Sequence, residues 1–105
     1  MSKIKVVAVC ACPTGAAHTY IAADKFSAAC EKAGVDCLVE TQGFGGVEDE
    51  LTEDDIESAD YIVLANEVPL EGADRFDGYE EKTISCRIAD LVHDSEGFLK
   101  AEILK

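Results

Sequence analysis

The sequence predicts a single α/β domain over residues 1–105, built as an open Rossmann-like sandwich with a phosphate-binding loop after strand 1. We expect a four-stranded parallel sheet, in the strand order 2-1-3-4, with helices on both faces. Three observations support this class. A chain of 105 residues has the size of one domain. Two short runs, residues 6–9 and 61–65, are apolar throughout, which is typical of buried parallel strands. Strand-like and helix-like segments also alternate along the chain.

The first half of the chain predicts a central strand, a long helix and a second strand. Residues 4–10 form strand 1, and a turn at residues 13–15 follows it at once. The helix is expected over residues 16–33, where an apolar stripe recurs at Ala22, Phe26, Ala29, Cys30 and Ala33, and Gly34 is placed to end it. Residues 35–41 alternate with a period of two, which predicts a strand with one wetter face at a sheet edge. Residues 43–46 are expected to form a flexible loop.

The second half predicts a short helix, two strands and a final helix. Thr52 is expected to cap the short acidic helix, since Asp55 lies three residues later and Leu51 and Ile56 bracket the cap. The helix should end near residues 58–59. Further along the chain we expect a third strand at 61–65, a long loop or broken helix at 66–81, a fourth strand at 82–86, and helix from 87 onward with a break at 94–97.

Composition excludes several classes of partner. Nine lysines and arginines against 22 aspartates and glutamates give a net charge of −13, which opposes binding to nucleic acid or to an anionic membrane surface. The apolar runs are too short to span a bilayer, and the first residues do not form a secretory signal, so no direct membrane insertion is expected. Five irregularly spaced cysteines favour a reducing cytoplasm over a disulfide framework.

The candidate site is the loop that leads from strand 1 into the first helix. In open α/β sheets ligands bind beyond the carboxyl ends of the strands. Backbone N–H groups in a loop of small residues, together with the helix dipole, suit a phosphate-sized anion and stabilise a thiolate. Cys12 stands at the start of this loop and is the candidate nucleophile. The expected phosphate-binding residues are Pro13, Thr14, Gly15, Ala16, Ala17, His18 and Thr19.

The spacing of residues in this loop is also compatible with a second function. Cys12 and His18 have the spacing Cys-x5-His, whereas tyrosine phosphatases and related arsenate reductases have Cys-x5-Arg, with the arginine holding the phosphate. The arginines of this chain, Arg75 and Arg87, both lie outside the loop. A cradle without its arginine favours transient storage of a phosphoryl group over hydrolysis. A small phosphatase or arsenate reductase is the alternative, with Asp74 or Asp77 as its candidate general acid.

These residues carry a family resemblance. The stretches that carry it are Ala11-Cys12-Pro13-Thr14-Gly15-Ala16-Ala17-His18-Thr19, Glu40-Thr41-Gln42-Gly43, Glu50-Leu51-Thr52 and Ala59-Asp60. Together they resemble the fructose-family enzyme IIB of the bacterial phosphoenolpyruvate-dependent sugar phosphotransferase system (PTS), over roughly residues 3–105. The chain keeps Arg75, Phe76 and Gly78 of the family's Arg-Phe-x-Gly-Lys element but continues with Tyr79 in place of the lysine.

The resemblance implies a protein-Nπ-phosphohistidine–D-fructose phosphotransferase. Cys12 would accept a phosphoryl group from a phosphohistidine of enzyme IIA and pass it to fructose, or a similar sugar, moving through the membrane enzyme IIC. The chain would work in the cytoplasm, against the inner face of the membrane when bound to enzyme IIC, and would need no cofactor. A third reading is a regulator in which the phosphorylation state of Cys12 reports sugar supply to a partner.

The other cysteines and the acidic stretch are expected to have structural or surface roles. Cys10 is expected to be structural, and Cys30, Cys37 and Cys86 are expected to fill the core. The spacing of the histidines and cysteines predicts no metal site. The acidic stretch from residue 48 to residue 60 forms a solvated face or presents charge to a basic partner.

Overall fold

The computed structural model describes residues 4–11, 17–43, 46–66 and 72–103, with the backbone alone for Ala17, His18 and Ala73. These residues form one small α/β domain. Its strands are β1 (Lys5–Ala11), β2 (Asp36–Gly43), β3 (Gly46–Glu48), β4 (Tyr61–Asn66) and β5 (Thr83–Cys86). Its helices are α1 (Ala17–Ala33), α2 (Glu53–Ser58) and α3 (Ile88–Glu102), and two 3₁₀ turns span Ala73–Phe76 and Glu80–Lys82.

The sheet is mixed and has five strands in the order β3-β2-β1-β4-β5. The four strands expected from the sequence are parallel neighbours in the order β2-β1-β4-β5. The prediction of a four-stranded, wholly parallel sheet is corrected by β3, which runs antiparallel to the last three residues of β2. Gly43 and Gly46 were assigned to a loop, but they face each other as the first pair of this short hairpin. Three residues are too few for a strand period to show in a sequence.

Strand β1 is the central support of the fold. Parallel partners flank it on both sides, and its residues from Val6 to Ala11 are fully buried. Val6, Ala8 and Cys10 belong to the core cluster under α1 and α3, whereas Val7 and Val9 pack in the cluster with α2 on the opposite face. The continuous apolar run is therefore explained by burial on both faces, as the sequence predicted.

Helices α1 and α3 cover one face of the sheet. Phe26 of α1 is fully buried, and its ring meets that of Phe98 in α3 edge to face, with centroids 6.2 Å apart. The predicted apolar stripe is buried at Ala22, Phe26, Ala29 and Cys30, whereas Ala33 in the last turn is exposed. Gly34 ends the helix with a φ of +75°, and the next N–H, of Val35, donates to the Cys30 carbonyl at 2.8 Å.

Helix α2 packs on the other face and is held at both ends. The predicted capping box is confirmed: the Asp55 N–H donates to Thr52 Oγ1 at 3.1 Å, and the Thr52 N–H donates to Asp55 Oδ2 at 3.0 Å. At the other end, Lys82 Nζ donates to the carbonyls of Ile56 at 2.9 Å and Ala59 at 2.6 Å. Lys82 was predicted as the first residue of the fourth strand, but it ends the second 3₁₀ turn, from which its amine reaches the end of α2.

Helix α3 contains the predicted break. Asp94 has non-helical angles, φ −157° and ψ 73°, and its carboxylate accepts a hydrogen bond from the Gly97 N–H at 2.9 Å. Asp94 therefore caps the second half of α3 in the way that an aspartate caps a new helix. A Cβ atom built on Gly97 would lie 2.2 Å from Asp94 Oδ2, so a side chain at this position would have to displace the capping carboxylate. Among the described residues, no helix is long and apolar enough to cross a membrane.

Candidate functional site

The predicted loop begins at the middle of the sheet's carboxyl edge. Ala11 is the last residue of β1, and its register partners are Gln42 at the end of β2 and Asn66 at the end of β4. Helix α1 begins at Ala17. The connection between them therefore leaves the sheet between two strand ends and enters a helix N-terminus. This is the position at which open α/β sheets bind ligands.

The predicted site residues fall into two groups. Cys12, Pro13, Thr14, Gly15 and Ala16 lie outside the described residues, so their predicted roles stay predictions. Ala17 and His18 form the first turn of α1 by their backbone. Thr19 is also in this turn, and its side chain is fully buried.

The start of α1 suits an anion. Its first turn contains no acidic residue, so no side chain in it offsets the partial positive charge of the helix N-terminus. The helix is 17 residues long, which is enough for its peptide dipoles to add along the axis. The described part of the site therefore supplies positive potential without a charged side chain.

A buried ion pair lies beside the strand ends. Glu40, in β2, has a fully buried side chain, and that of Arg75 is 14% exposed. Arg75 Nη1 and Nη2 donate to Glu40 Oε1 and Oε2 at 2.7 and 3.0 Å, a bidentate arrangement. Glu40 Oε1 also accepts from the Leu51 N–H at 2.8 Å, and Oε2 accepts from Gln42 Nε2 at 2.7 Å. We call Glu40, Gln42, Leu51 and Arg75 the carboxylate cluster.

The cluster keeps Glu40 ionised. Burial by itself would raise the pKa of Glu40, but the hydrogen bonds from Arg75, Gln42 and Leu51 outweigh it and hold the pKa below its ordinary value. The hydrogen bond to Glu40 likewise raises the pKa of Arg75. By the predicted alternation, Glu40 shares the wetter face of its strand with Asp36 and Leu38, which are exposed, but Glu40 itself is fully buried. An arginine 35 residues away covers the carboxylate and satisfies it.

The carboxylate cluster connects the predicted loop to the second half of the chain. Gln42 is the register partner of Ala11, directly before Cys12, and its amide is held by Glu40. Arg75 also donates to the carbonyls of Gly72 at 2.8 Å and Leu51 at 2.9 Å. The cluster therefore holds the end of β2, the approach to α2 and the first 3₁₀ turn together at one edge of the sheet.

Sequence reasoning quoted Glu40, Gln42 and Arg75 within the family resemblance but gave them no role. The sequence did indicate that Glu40 needs a partner, since a carboxylate inside a strand is usually paired. Nothing in the sequence identified which of the basic residues would provide it.

The arginine arrangement bears on the phosphatase alternative. Arg75 donates through Nε, Nη1 and Nη2 to the carboxylate cluster and to Gly72. Arg87 stands at the start of α3, after the outer strand β5. Asp74 and Asp77, the candidate general acids, are both exposed around the first 3₁₀ turn. The described residues therefore do not assemble a free arginine and an aspartic acid around the end of β1.

The described cysteines are structural, as predicted. Cys10 and Cys30 are fully buried in the core under α1 and α3, and Cys37 and Cys86 pack partly buried against the same core. Burial raises the pKa of Cys86 to about 12, so this thiol is protonated at neutral pH. In the part of the chain that the structure describes, no group of histidine, cysteine and carboxylate side chains is placed to hold a metal ion.

Comparison with known proteins places the chain in a family. The model of the family described as "PTS system, Lactose/Cellobiose specific IIB subunit" matches residues 7–101. The PTS system fructose-like EIIB component 2 of Escherichia coli (strain K12) is 38% identical over 95 residues, which cover 90% of this chain and 88% of that relative.

Two further matches involve larger proteins. The PTS system 2-O-alpha-mannosyl-D-glycerate-specific EIIABC component of the same organism is 38% identical over 90% of this chain, a match that covers 14% of that relative. A solved domain of the fructose-specific IIABC component of Borrelia burgdorferi superposes with a TM-score of 0.87 at 36% identity, covering 98% of this chain and 96% of that one.

The family model and these identities agree with the fold and with the resemblance found in the sequence. Their names describe components of sugar phosphotransfer. The chain belongs to the IIB subunit family of the PTS, and it resembles the fructose-type members of that family.

Proposed function

We propose that Cys12 carries the phosphoryl group, receiving it from a phosphohistidine of enzyme IIA and delivering it to a fructose-like sugar that enters through enzyme IIC. The observation that best supports this assignment is the place of Ala11. It ends the fully buried central strand, and α1 begins six residues later at Ala17, so Cys12 follows directly in sequence from a strand that is paired on both sides. We further propose that the chain acts in the cytoplasm, where both partners present their reacting groups.

The two transfers have simple chemistry. In the first, the thiolate sulfur of Cys12 attacks phosphorus, the P–N bond to histidine breaks, and the released imidazole nitrogen takes up a proton. In the second, a sugar hydroxyl oxygen attacks phosphorus, the S–P bond breaks, the hydroxyl loses its proton, and the thiolate is restored. Both transfers depend on positioning and on stabilising negative charge. The backbone of Ala17, His18 and Thr19 and the dipole of α1 supply that charge stabilisation in this proposal.

The phosphatase alternative is not favoured. It needs an arginine in the loop, and Arg75 is bound to Glu40 instead. We expect the phosphocysteine to persist because the loop sequence, residues 12–18, contains no arginine to hold the phosphate for hydrolysis. A regulatory role of the same phosphocysteine would use the same site.

Radiolabel transfer tests the proposal. Phosphoenolpyruvate labelled at phosphorus, the general phosphotransferase proteins and an enzyme IIA are incubated with the chain, and the labelled residue is mapped by peptide analysis. Label should reach the peptide that contains Cys12 and should be lost in Cys12→Ser. Cys10→Ser is the matched control, because it changes a buried thiol two residues earlier and should keep the label. Label on another residue, or steady release of inorganic phosphate, contradicts the proposal.

A further inference from the structure

The outer edge of β2 borders a groove that the proposed phosphotransfer does not use. The groove has a volume of about 530 Å³ and lies between α1, the edge of β2 and the turn that follows β3. We call it the edge groove. Its walls include Leu38, one of two large apolar side chains that are prominently exposed among the described residues, with 42% of its surface accessible.

Among the residues that the structure describes, the first half of β2 has main-chain groups without partners on this side. Strand β3 pairs with Thr41, Gln42 and Gly43 alone. The Asp36 N–H donates to the Ile4 carbonyl on the β1 side, and strand groups alternate in direction, so Cys37 and Val39 point their N–H and C=O groups into the groove. Within the described ranges, neither residue has a main-chain partner on that side. An edge with free donors and acceptors is a template for another strand.

A buried hydroxyl in the same groove is also unsatisfied. Thr41 is 5% exposed, it lines the edge groove, and its Oγ1 has no hydrogen-bond partner among the described residues. Buried polar atoms of this kind are rare in folded proteins. This hydroxyl lies below the accessible surface, so a ligand group could reach it only if the side chains above it moved aside.

The charge of the groove identifies the kind of ligand. Five carboxylates line it, at Asp24, Glu48, Asp49, Glu50 and Asp55, and the described lining contains no lysine, arginine or histidine. Asp55 is already engaged with Thr52 and lies 3.8 Å from Lys5 Nζ. Among the described residues, no ion pair within 4 Å joins the other four to a base, although Glu50 interacts electrostatically with Arg75. A second copy of the chain would bring the same negative charge to this edge, so the groove suits a cationic ligand.

We propose that the edge groove binds an extended segment of another protein, in which lysines or arginines alternate with apolar residues, by adding that segment to β2 as a further strand. The main chain of the segment would pair with Cys37 and Val39, its apolar side chains would cover Leu38, and its cations would face the carboxylates. Among the described residues, the lining of this groove does not include Thr19 of the predicted phosphate site, and the proposal does not depend on the phosphotransfer assignment.

A designed peptide tests the proposal. Acetyl-(Lys-Val)₃-amide is titrated into the ¹⁵N-labelled full chain and followed by NMR. Saturable shifts should centre on the amides of residues 37–41, with hydrogen exchange at Cys37 and Val39 slowed at least tenfold. The same peptide N-methylated at alternate residues keeps its charge but cannot pair as a strand, and it should lose binding at least tenfold.

Matched variants test the role of charge. The double variant Asp24→Asn/Asp49→Asn should weaken binding of the peptide roughly fivefold or more, because each substitution removes one exposed carboxylate. Asparagine tolerates the positive φ of +54° at position 49, so the turn is preserved. Glu57→Gln, an exposed change on α2 outside the groove, should leave affinity within twofold, and so should Cys12→Ser.

Three results would overturn the proposal. Equal binding of the N-methylated peptide would exclude strand addition, and equal binding of spermidine at the same residues would show attraction by charge alone. Self-association of the wild-type chain through residues 37–41 would assign the edge to a second copy instead.

Discussion

The two faces of the sheet are held together by different forces. Under α1 and α3, the contacts are almost entirely apolar and centre on Phe26, which is fully buried. Under α2, the apolar cluster is smaller, and the carboxylate cluster around Glu40 and Arg75 lies at its edge. The first face depends on area removed from water, and the second depends in addition on an ion pair whose partners come from distant parts of the chain.

The two kinds of contact contribute differently to the stability of the fold and to the placement of its polar atoms. Apolar burial is nondirectional, so it holds α1 against the sheet without setting the position of any one polar atom. A bidentate ion pair is directional, and this one positions Gln42 beside the end of β1. The apolar face therefore provides most of the stability, while the polar face organises the edge where the predicted site lies.

The largest effect is expected on the apolar face. Phe26→Ala should lower the free energy of unfolding by about 3–5 kcal/mol, because it leaves a cavity between α1 and α3. Urea denaturation followed by circular dichroism measures the change. Ile21→Ala, on the same helix but 40% exposed, is the control and should cost less than about 1 kcal/mol. Equal losses in both variants would show that burial does not explain the stability of this face.

A somewhat smaller loss is expected when the ion pair is broken. Arg75→Met should cost about 3 kcal/mol, because it leaves the Glu40 carboxylate buried without its cation. The double variant Glu40→Met/Arg75→Met should lose less than Arg75→Met alone, since no buried charge remains. The same denaturation assay measures both. A double variant that is less stable than the single one would mean that the pair itself is strongly stabilising.

The pH dependence of the unfolding free energy should distinguish the two faces of the sheet. The pKa of Glu40 is lower in the folded chain than its ordinary value of 4.5. Its contribution is therefore present above pH 4.5 and is lost as the pH falls through the lower folded-state pKa. Between pH 6 and pH 3, the unfolding free energy of Glu40→Gln should fall less steeply than that of the wild type, whereas Phe26→Ala should keep the wild-type slope. Parallel curves for wild type and Glu40→Gln would contradict this account.

The smallest effect concerns the cap of α2. Thr52→Ala removes the acceptor of the Asp55 N–H and should cost about 1 kcal/mol. Thr52→Ser keeps the hydroxyl and should restore most of the stability. If the serine variant is as unstable as the alanine variant, the hydroxyl is not the stabilising group.

Local signals in the sequence identified much of the fold. The capping box at Thr52, the glycine at position 34 and the break at Asp94 each depend on residues within a few positions of one another, and all three are confirmed. The fully apolar run of β1 likewise indicated a strand buried on both faces. Such features need no knowledge of distant contacts.

Features that depend on distant contacts were not predictable in this way. Strand β3 is defined by pairing with β2 and has three residues, so it has no pattern of its own. Glu40 was placed on a wet face because its partner lies 35 residues away in a segment without regular helix or strand. At the candidate site, the position at the end of β1 followed from the pattern, but the neighbours Gln42 and Asn66 came from the sheet register.

The cap inside α3 has a consequence for how this helix can change. Gly97 leaves no room for a side chain while the Asp94 carboxylate occupies its position. Substitutions at these two positions are therefore not independent. On a path toward a straight helix, filling the glycine first would push the Asp94 carboxylate out of its capping position, whereas replacing the aspartate first removes the nearest contact.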